Sequence, residues 1–224
     1  MKKEAQIKLL TLVFFLVGLC DLLGLIMNEP QIRYVSKPLI TITLGFLYLV
    51  SVKKIKFLYL AALFFSLLGD TLLLKIWGNQ FLYAVFSFLI TQVLFIVILS
   101  KSIKTYKPIP LIIASIPFVL TFIAVITFVH ESLGSLLVPI TIYGLIITTL
   151  GGLSFYNYLE QRSQPTLWMA IGVFLFIASD SVLAVKYFMI SHRELELSLI
   201  VMATYILAQY LICRYMIHRS ESPT

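Results

Sequence analysis

Charge is what this chain has least of. Only 12% of its 224 residues are Asp, Glu, Lys or Arg, about half of what a soluble domain carries. Beside 60% hydrophobic residues, that scarcity excludes a water-soluble globule and points to a polytopic membrane protein. Acids are scarcer still, 10 against 17 Lys and Arg, so an acid inside an apolar run needs a reason. Cysteine is nearly absent. Cys20 and Cys213 lie in apolar runs and read as small buried apolar residues, with no metal-ligand or redox spacing. No HExxH, CxxC, GxSxG or P-loop pattern occurs, which argues against a zinc protease, a serine hydrolase and an ATPase. Long polar linkers are missing too, so the expectation is one membrane domain over residues 1–224.

What is there is a series of eight apolar segments: 7–27, 35–52, 57–76, 81–99, 109–129, 135–158, 167–189 and 195–215. Each is read as a membrane helix, which needs ~20 apolar residues at ~1.5 Å per residue. The fold class expected is therefore all-α with eight transmembrane helices. The start of the chain resembles a signal or lipoprotein segment, but bulky Leu19 precedes Cys20 and the apolar run continues to Met27. It reads as the first membrane helix. Separators include Asn28–Pro30, Lys53–Lys56, Gly78–Asn79, Lys101–Lys107, His130–Gly134, Glu160–Pro165 and Ser191–Glu194. Lys2, Lys3, Lys8, Lys53, Lys54, Lys56, Lys101, Lys104, Lys107, Arg162, Arg214 and Arg219 fall on one side. Arg33, Lys37, Lys75, Lys186 and Arg193 fall on the other. The positive-inside rule then places both termini in the cytoplasm. Because the basic residues sit in short loops, no basic face is offered to phosphates; a bilayer, not nucleic acid, is the expected partner.

Asp70 and Asp180 lie deep in the third and seventh segments, 14 residues beyond Lys56 and 15 beyond Pro165. Each is thus ~20 Å from the cytoplasmic end by helix rise. An acid near a bilayer centre costs at least ~2.5–3.5 kcal/mol, so both are expected to face a protein interior or a wet cavity. Asp21 reaches the same depth, and three acids at one level imply a polar pocket open towards the outer leaflet. Phe64–Asp70 and Phe174–Asp180 are alike, and a glutamine follows one helix later in each case, Gln92 and Gln209. This hints at a duplication of four helices. Gly69 and Ser179 precede the acids and allow close helix approach, while Thr71 and Ser181 follow them. Lys37 stands before Pro38 at the expected outer start of the second helix. With Lys75 and Lys186 it could ring the pocket mouth and hold a phosphate, or simply snorkel to the interface. Tyr205 and Gln209 share a face at i, i+4. Gln92 and Tyr143 are further deep polar groups. His130 and Glu131 read as a solvated outer loop.

The residues alone leave three readings open. Paired carboxyls, one protonated and one ionised, do acid/base work. They also bind cations or relay protons in transporters, or they hydrogen-bond neighbouring helices. No Gly or Pro breaks the third or seventh segment near the acids, as transporter sites often require.

The stretches FSLLGDTLLL (Phe65–Leu74) and FIASDSVLA (Phe176–Ala184) resemble the signature helices of the YhhN family, which includes the animal lysoplasmalogenases. Lys37-Pro38-Leu39 and TYILAQYLI (Thr204–Ile212) are similar to further family motifs, and the resemblance spans the chain. It implies an eight-helix hydrolase that cleaves the vinyl-ether bond of lysophospholipids without metal or other cofactor, with Asp70 and Asp180 as its catalytic acids. It also implies a lysophospholipid substrate, for which Lys37, Gln92, Tyr143, Tyr205, Gln209 and Asp21 are the candidate binding residues. Homo-oligomerisation stays open. One departure is in the fourth helix, where Gln92 and Phe95 stand in place of the His and Tyr that the family often carries.

Overall fold

The computed structural model describes residues 2–74, 80–103, 105–189 and 194–221. Lys75, Lys104, Arg193 and the Gly78–Asn79 separator lie outside them. The described residues form α1 (Lys2–Ile26), α2 (Pro30–Ser51), α3 (Phe57–Leu74), α4 (Gln80–Ser100), α5 (Pro108–Leu133), α6 (Leu137–Gln161), α7 (Gln164–Met189) and α8 (Leu195–Glu221). A 3-10 turn at Gly134–Leu136 joins α5 to α6, and no strand occurs among these residues.

Seven helical segments are long and apolar enough to cross a membrane, which corrects the expected eight. The difference lies at the polar run His130–Gly134. His130 and Glu131 are not in a loop; they complete α5, and Gly134 turns the chain with φ of 50° directly into the 3-10 turn, a conformation glycine adopts without steric cost. Residues 108–161 are therefore one continuous helical segment of 54 residues. That is far longer than a ~30 Å hydrocarbon core requires, and the segment doubles back. The Phe122 ring lies against Gly144 and Phe118 against Gly151, while Lys107 pairs with Glu160 at 2.9 Å. A second correction concerns Pro38. It sits inside α2, because the helix starts two turns earlier with Pro30 in its first turn, where a missing N–H costs nothing. Lys37 is consequently within α2, not at its start.

The bundle is inside-out by the standards of a soluble protein. Leu9, Leu12, Leu16, Leu19 and Leu23 form an exposed stripe along α1, and Ile109, Ile112, Ile116, Leu120 and Ile123 another along α5. Their spacing of three to four residues keeps each stripe on one helix face, and apolar patches of that extent mark a lipid-facing surface. Cys20 belongs to this exposed surface and is not buried as expected; Cys213 is buried.

The two halves pack alike. In the first, α1 lies on α2, α2 on α3 and α3 on α4; in the second, α5 lies on α6, α6 on α7 and α7 on α8. The halves meet through α2 against α8 and α6 against α4. Phe14 stacks on Tyr210 and Ile206 meets Gly18, so α1 and α8 are antiparallel and the start of one shares a bundle end with the finish of the other. Two buried tyrosines fasten connections at that end. The Tyr48 hydroxyl accepts from the Lys56 backbone N–H at 2.9 Å and meets Ser220 Oγ at 2.9 Å. The Tyr156 hydroxyl accepts from the Lys107 N–H at 3.0 Å and donates to the Thr105 carbonyl at 2.9 Å.

Candidate functional site

Asp70 is 1% exposed on α3 and is held from two other helices. Thr41 of α2 and Tyr205 of α8 both donate to its Oδ2, at 3.0 and 2.5 Å. Behind Tyr205, Gln209 Nε2 donates to the Tyr205 hydroxyl at 2.9 Å and to Ser66 Oγ at 2.7 Å, and Ser66 meets Tyr205 at 3.1 Å. The i, i+4 face shared by Tyr205 and Gln209 thus arrives on Asp70 as one unit. Gly69 explains why α4 comes so close: a Cβ there would lie 2.7 Å from the Phe88 ring.

Asp180 on α7 is half-buried. Among the described residues its donor is the Tyr143 hydroxyl of α6. Gln92 Nε2 of α4 reaches that hydroxyl at 3.5 Å, the outer limit of a hydrogen bond. Asp180, Ser181 and Tyr143 line a cleft of about 480 Å³, mouth included, between α5, α6 and α7. Its other walls are mostly apolar, among them Phe118, Phe122, Ile140, Ile147 and Ile177. Asp180 lies within electrostatic range of Asp70. Phe176, one turn before Asp180, has its ring 5.7 Å from that of Tyr205, the tyrosine that donates to Asp70.

Lys37 lies on α2, one turn before Thr41, and is 7% exposed. Its ammonium feels Asp70, Asp21, Arg33 and Lys186 electrostatically. Asp21 is buried on α1, accepts from Ser36 Oγ at 2.9 Å and lies 3.7 Å from Arg33 Nε. Lys186 donates to Ser198 of α8. Thr71 bonds back within α3 to the Leu68 carbonyl at 2.8 Å, while Ser179 ties α7 to α8 through the Val201 carbonyl at 2.9 Å. Three buried acceptors, Gln92 Oε1, Gln209 Oε1 and Asp21 Oδ2, have no partner among the described residues. No cluster of His, Cys, Asp and Glu suited to a metal ion occurs there either.

The structure thus brings Asp70, Tyr205 and Gln209 into one network, and Asp180, Tyr143 and Gln92 into a second beside it. It adds two residues that the sequence reading missed, Thr41 and Ser66. Each stands four residues from a residue already singled out, Lys37 and Asp70, and that spacing was the available signal.

Helices with apolar outward faces, packed around a mostly apolar core that holds a few buried polar groups, mark a multi-pass helical membrane protein, and the two carboxyls with their donors form its candidate site. The chain belongs to the YhhN family, whose family model matches residues 32–216. The match takes in both acids and every residue hydrogen-bonded to them. No match is found among curated proteins or among solved structures.

Proposed function

We propose that the protein is a membrane hydrolase of the lysoplasmalogenase type, releasing a fatty aldehyde and a glycerophospho-alcohol from a lysophospholipid with a vinyl-ether chain. The observation that carries the proposal is the pair of interior carboxyls, each bound by a tyrosine hydroxyl, in a chain of the YhhN family. Vinyl-ether hydrolysis begins with proton transfer to the outer alkene carbon and gives an oxocarbenium ion. Water adds to that cation, and the hemiacetal collapses to aldehyde and alcohol. The reaction asks for a positioned acid and a fixed anion near the cation.

The two sites suit those roles. Two hydroxyls converge on one Asp70 oxygen, which suits an ionised carboxylate, a pure acceptor. Asp180 faces the apolar-walled cleft and is the acid presented to the alkene. The cleft takes the hydrocarbon chain from the side. Gln92 Oε1 and Gln209 Oε1, both buried and unpartnered, are acceptors for the attacking water or a glycerol hydroxyl. Lys37, with Arg33 one turn earlier, holds the phosphate, and Asp21 orients Arg33. In this reading the α5–α6 hairpin crosses twice, giving eight crossings, and both chain ends are cytoplasmic, in accord with the cationic bias.

The test is aldehyde release by the purified protein from a 1-alkenyl lysophospholipid. Asp70→Asn and Asp180→Asn keep side-chain size and remove the titrating proton. Each is expected to lower the rate by at least ~100-fold while the protein stays folded in detergent. A near wild-type rate in either variant overturns the proposal. An inactive wild type whose Asn variants abolish proton-driven solute uptake in vesicles replaces it with a transporter.

A further inference from the structure

The largest cavity described is not at the carboxyls. It lies at the bundle end fastened by Tyr48 and Tyr156, and encloses about 1480 Å³, mouth included. Lys56 from the α2–α3 connection, Lys101 from the end of α4 and Arg219 from the last turn of α8 all line it, with Asn157, Glu160 and His218. An adjoining pocket of about 680 Å³ shares the same three cations and adds apolar walls from Ile55, Phe57, Leu58 and Met216.

We propose that this cavity binds a phosphate-bearing anion, either a soluble phosphate ester or the headgroup of an anionic lipid. Membrane topology calls for cations at one end of a bundle, but not for cations from three elements around one cavity. These are positioned. The Lys56 backbone is held by the Tyr48 hydroxyl at 2.9 Å, and the Arg219 guanidinium donates to the Ile98 carbonyl. Among the described residues neither the Lys56 nor the Lys101 side chain makes an ion pair, and the one acid of the lining, Glu160, is bound by Lys107 at 2.9 Å. Asn157 supplies an independent sign. It is 1% exposed, its Oδ1 accepts from Gln161 at 2.7 Å, and its Nδ2 has no partner among the described residues. Buried donors are rarely left unsatisfied. Like charges gathered without counter-charge repel, and an anion bearing several acceptor oxygens answers both the cations and the amide. The guanidinium fork and two ammoniums match a phosphate in particular.

The experiment uses the full chain, delipidated in detergent, with Lys56→Gln/Lys101→Gln as the variant. Both side chains reach solvent, so the variant is expected to fold. One arm adds glycerol 3-phosphate against sodium chloride at equal ionic strength and follows thermal unfolding. The other adds phosphatidylglycerol or phosphatidylcholine and detects retained lipid by native mass spectrometry. Stabilisation by glycerol 3-phosphate identifies a soluble ester; retention of phosphatidylglycerol alone identifies a lipid headgroup. In either case the double variant is expected to bind at least ~10-fold more weakly, and Lys8→Gln, on the exposed face of α1 and outside the cavity, as tightly as wild type. No binding beyond chloride, equal binding by the double variant, or an equal loss in Lys8→Gln overturns the proposal. Aldehyde release is not the readout, so failure here leaves the catalytic reading standing.

Discussion

Asp70 receives hydroxyls from α2 and α8, backed by a serine and a glutamine, whereas Asp180 receives one from α6 and borders a cleft. The helices correspond: in each half the preceding helix supplies a hydroxyl, Thr41 to Asp70 and Tyr143 to Asp180. The difference is in what stands opposite. Asp70 has a second donor in Tyr205 of α8. Asp180 has no second donor among the described residues and borders the opening between α5, α6 and α7. One packing scheme therefore yields a caged carboxyl and a presented one, and an acid/base pair with unequal roles needs that inequality.

The comparison can be broken by experiment. The largest effect expected is on rate: both Asp→Asn changes should cost ~10²–10⁴-fold in aldehyde release. Loss at only one site would show that the carboxyls do not act together. The next effect separates the sites by stability. Asp70→Ala strands the Thr41 hydroxyl in the interior and leaves Tyr205 only Ser66 to donate to, and leaving buried donors unsatisfied costs ~1–3 kcal/mol. Asp180→Ala strands Tyr143 alone, so its melting temperature in detergent should fall by less. The reverse order would refute the caged and presented assignment. Thr41→Val, nearly the same shape, should cost only about 0.6 kcal/mol, the average for a hydrogen bond between membrane helices. Gln92→His, which places a titratable group against Tyr143, is expected not to lower the rate; a marked fall would mean that the amide itself is required.

The smallest effect is expected far from either site. The Glu160 carboxylate hydrogen-bonded to Lys107 holds that ammonium above the usual lysine range. Its contribution is complete below the ordinary lysine value and is lost as pH rises through the raised one. The pair is exposed and solvent screens it, so Lys107→Gln should leave the melting temperature at neutral pH nearly unchanged.

How far the site was legible follows from the same contrast. An acid in an apolar run is visible in one dimension, because its insertion cost demands an explanation wherever it folds. Hydroxyls carry no such signal. Thr43, Ser87 and Thr204 return their hydroxyls to carbonyls one turn back, at 2.6, 2.9 and 2.6 Å, and nothing in residue type separates them from Thr41 or Ser66. Tyr143 and Gln92 were seen as deep polar groups, but their union on Asp180 depends on α4 meeting α6, a contact between halves. The α5–α6 connection misled for a local reason. Polar residues at a helix end are tolerated, so His130 and Glu131 mark the limit of the apolar run without marking the limit of the helix.

Tyr48 and Tyr156 have a consequence for change over time. Their hydroxyls grip main-chain atoms of Lys56, Lys107 and Thr105, groups that every substitution except proline at a donor position preserves. The path of these connections is thereby uncoupled from their composition. Side chains at 53–56 are free to be exchanged, and the ligand preference of this end of the bundle to drift, while the helices that carry Asp70 and Asp180 stay anchored.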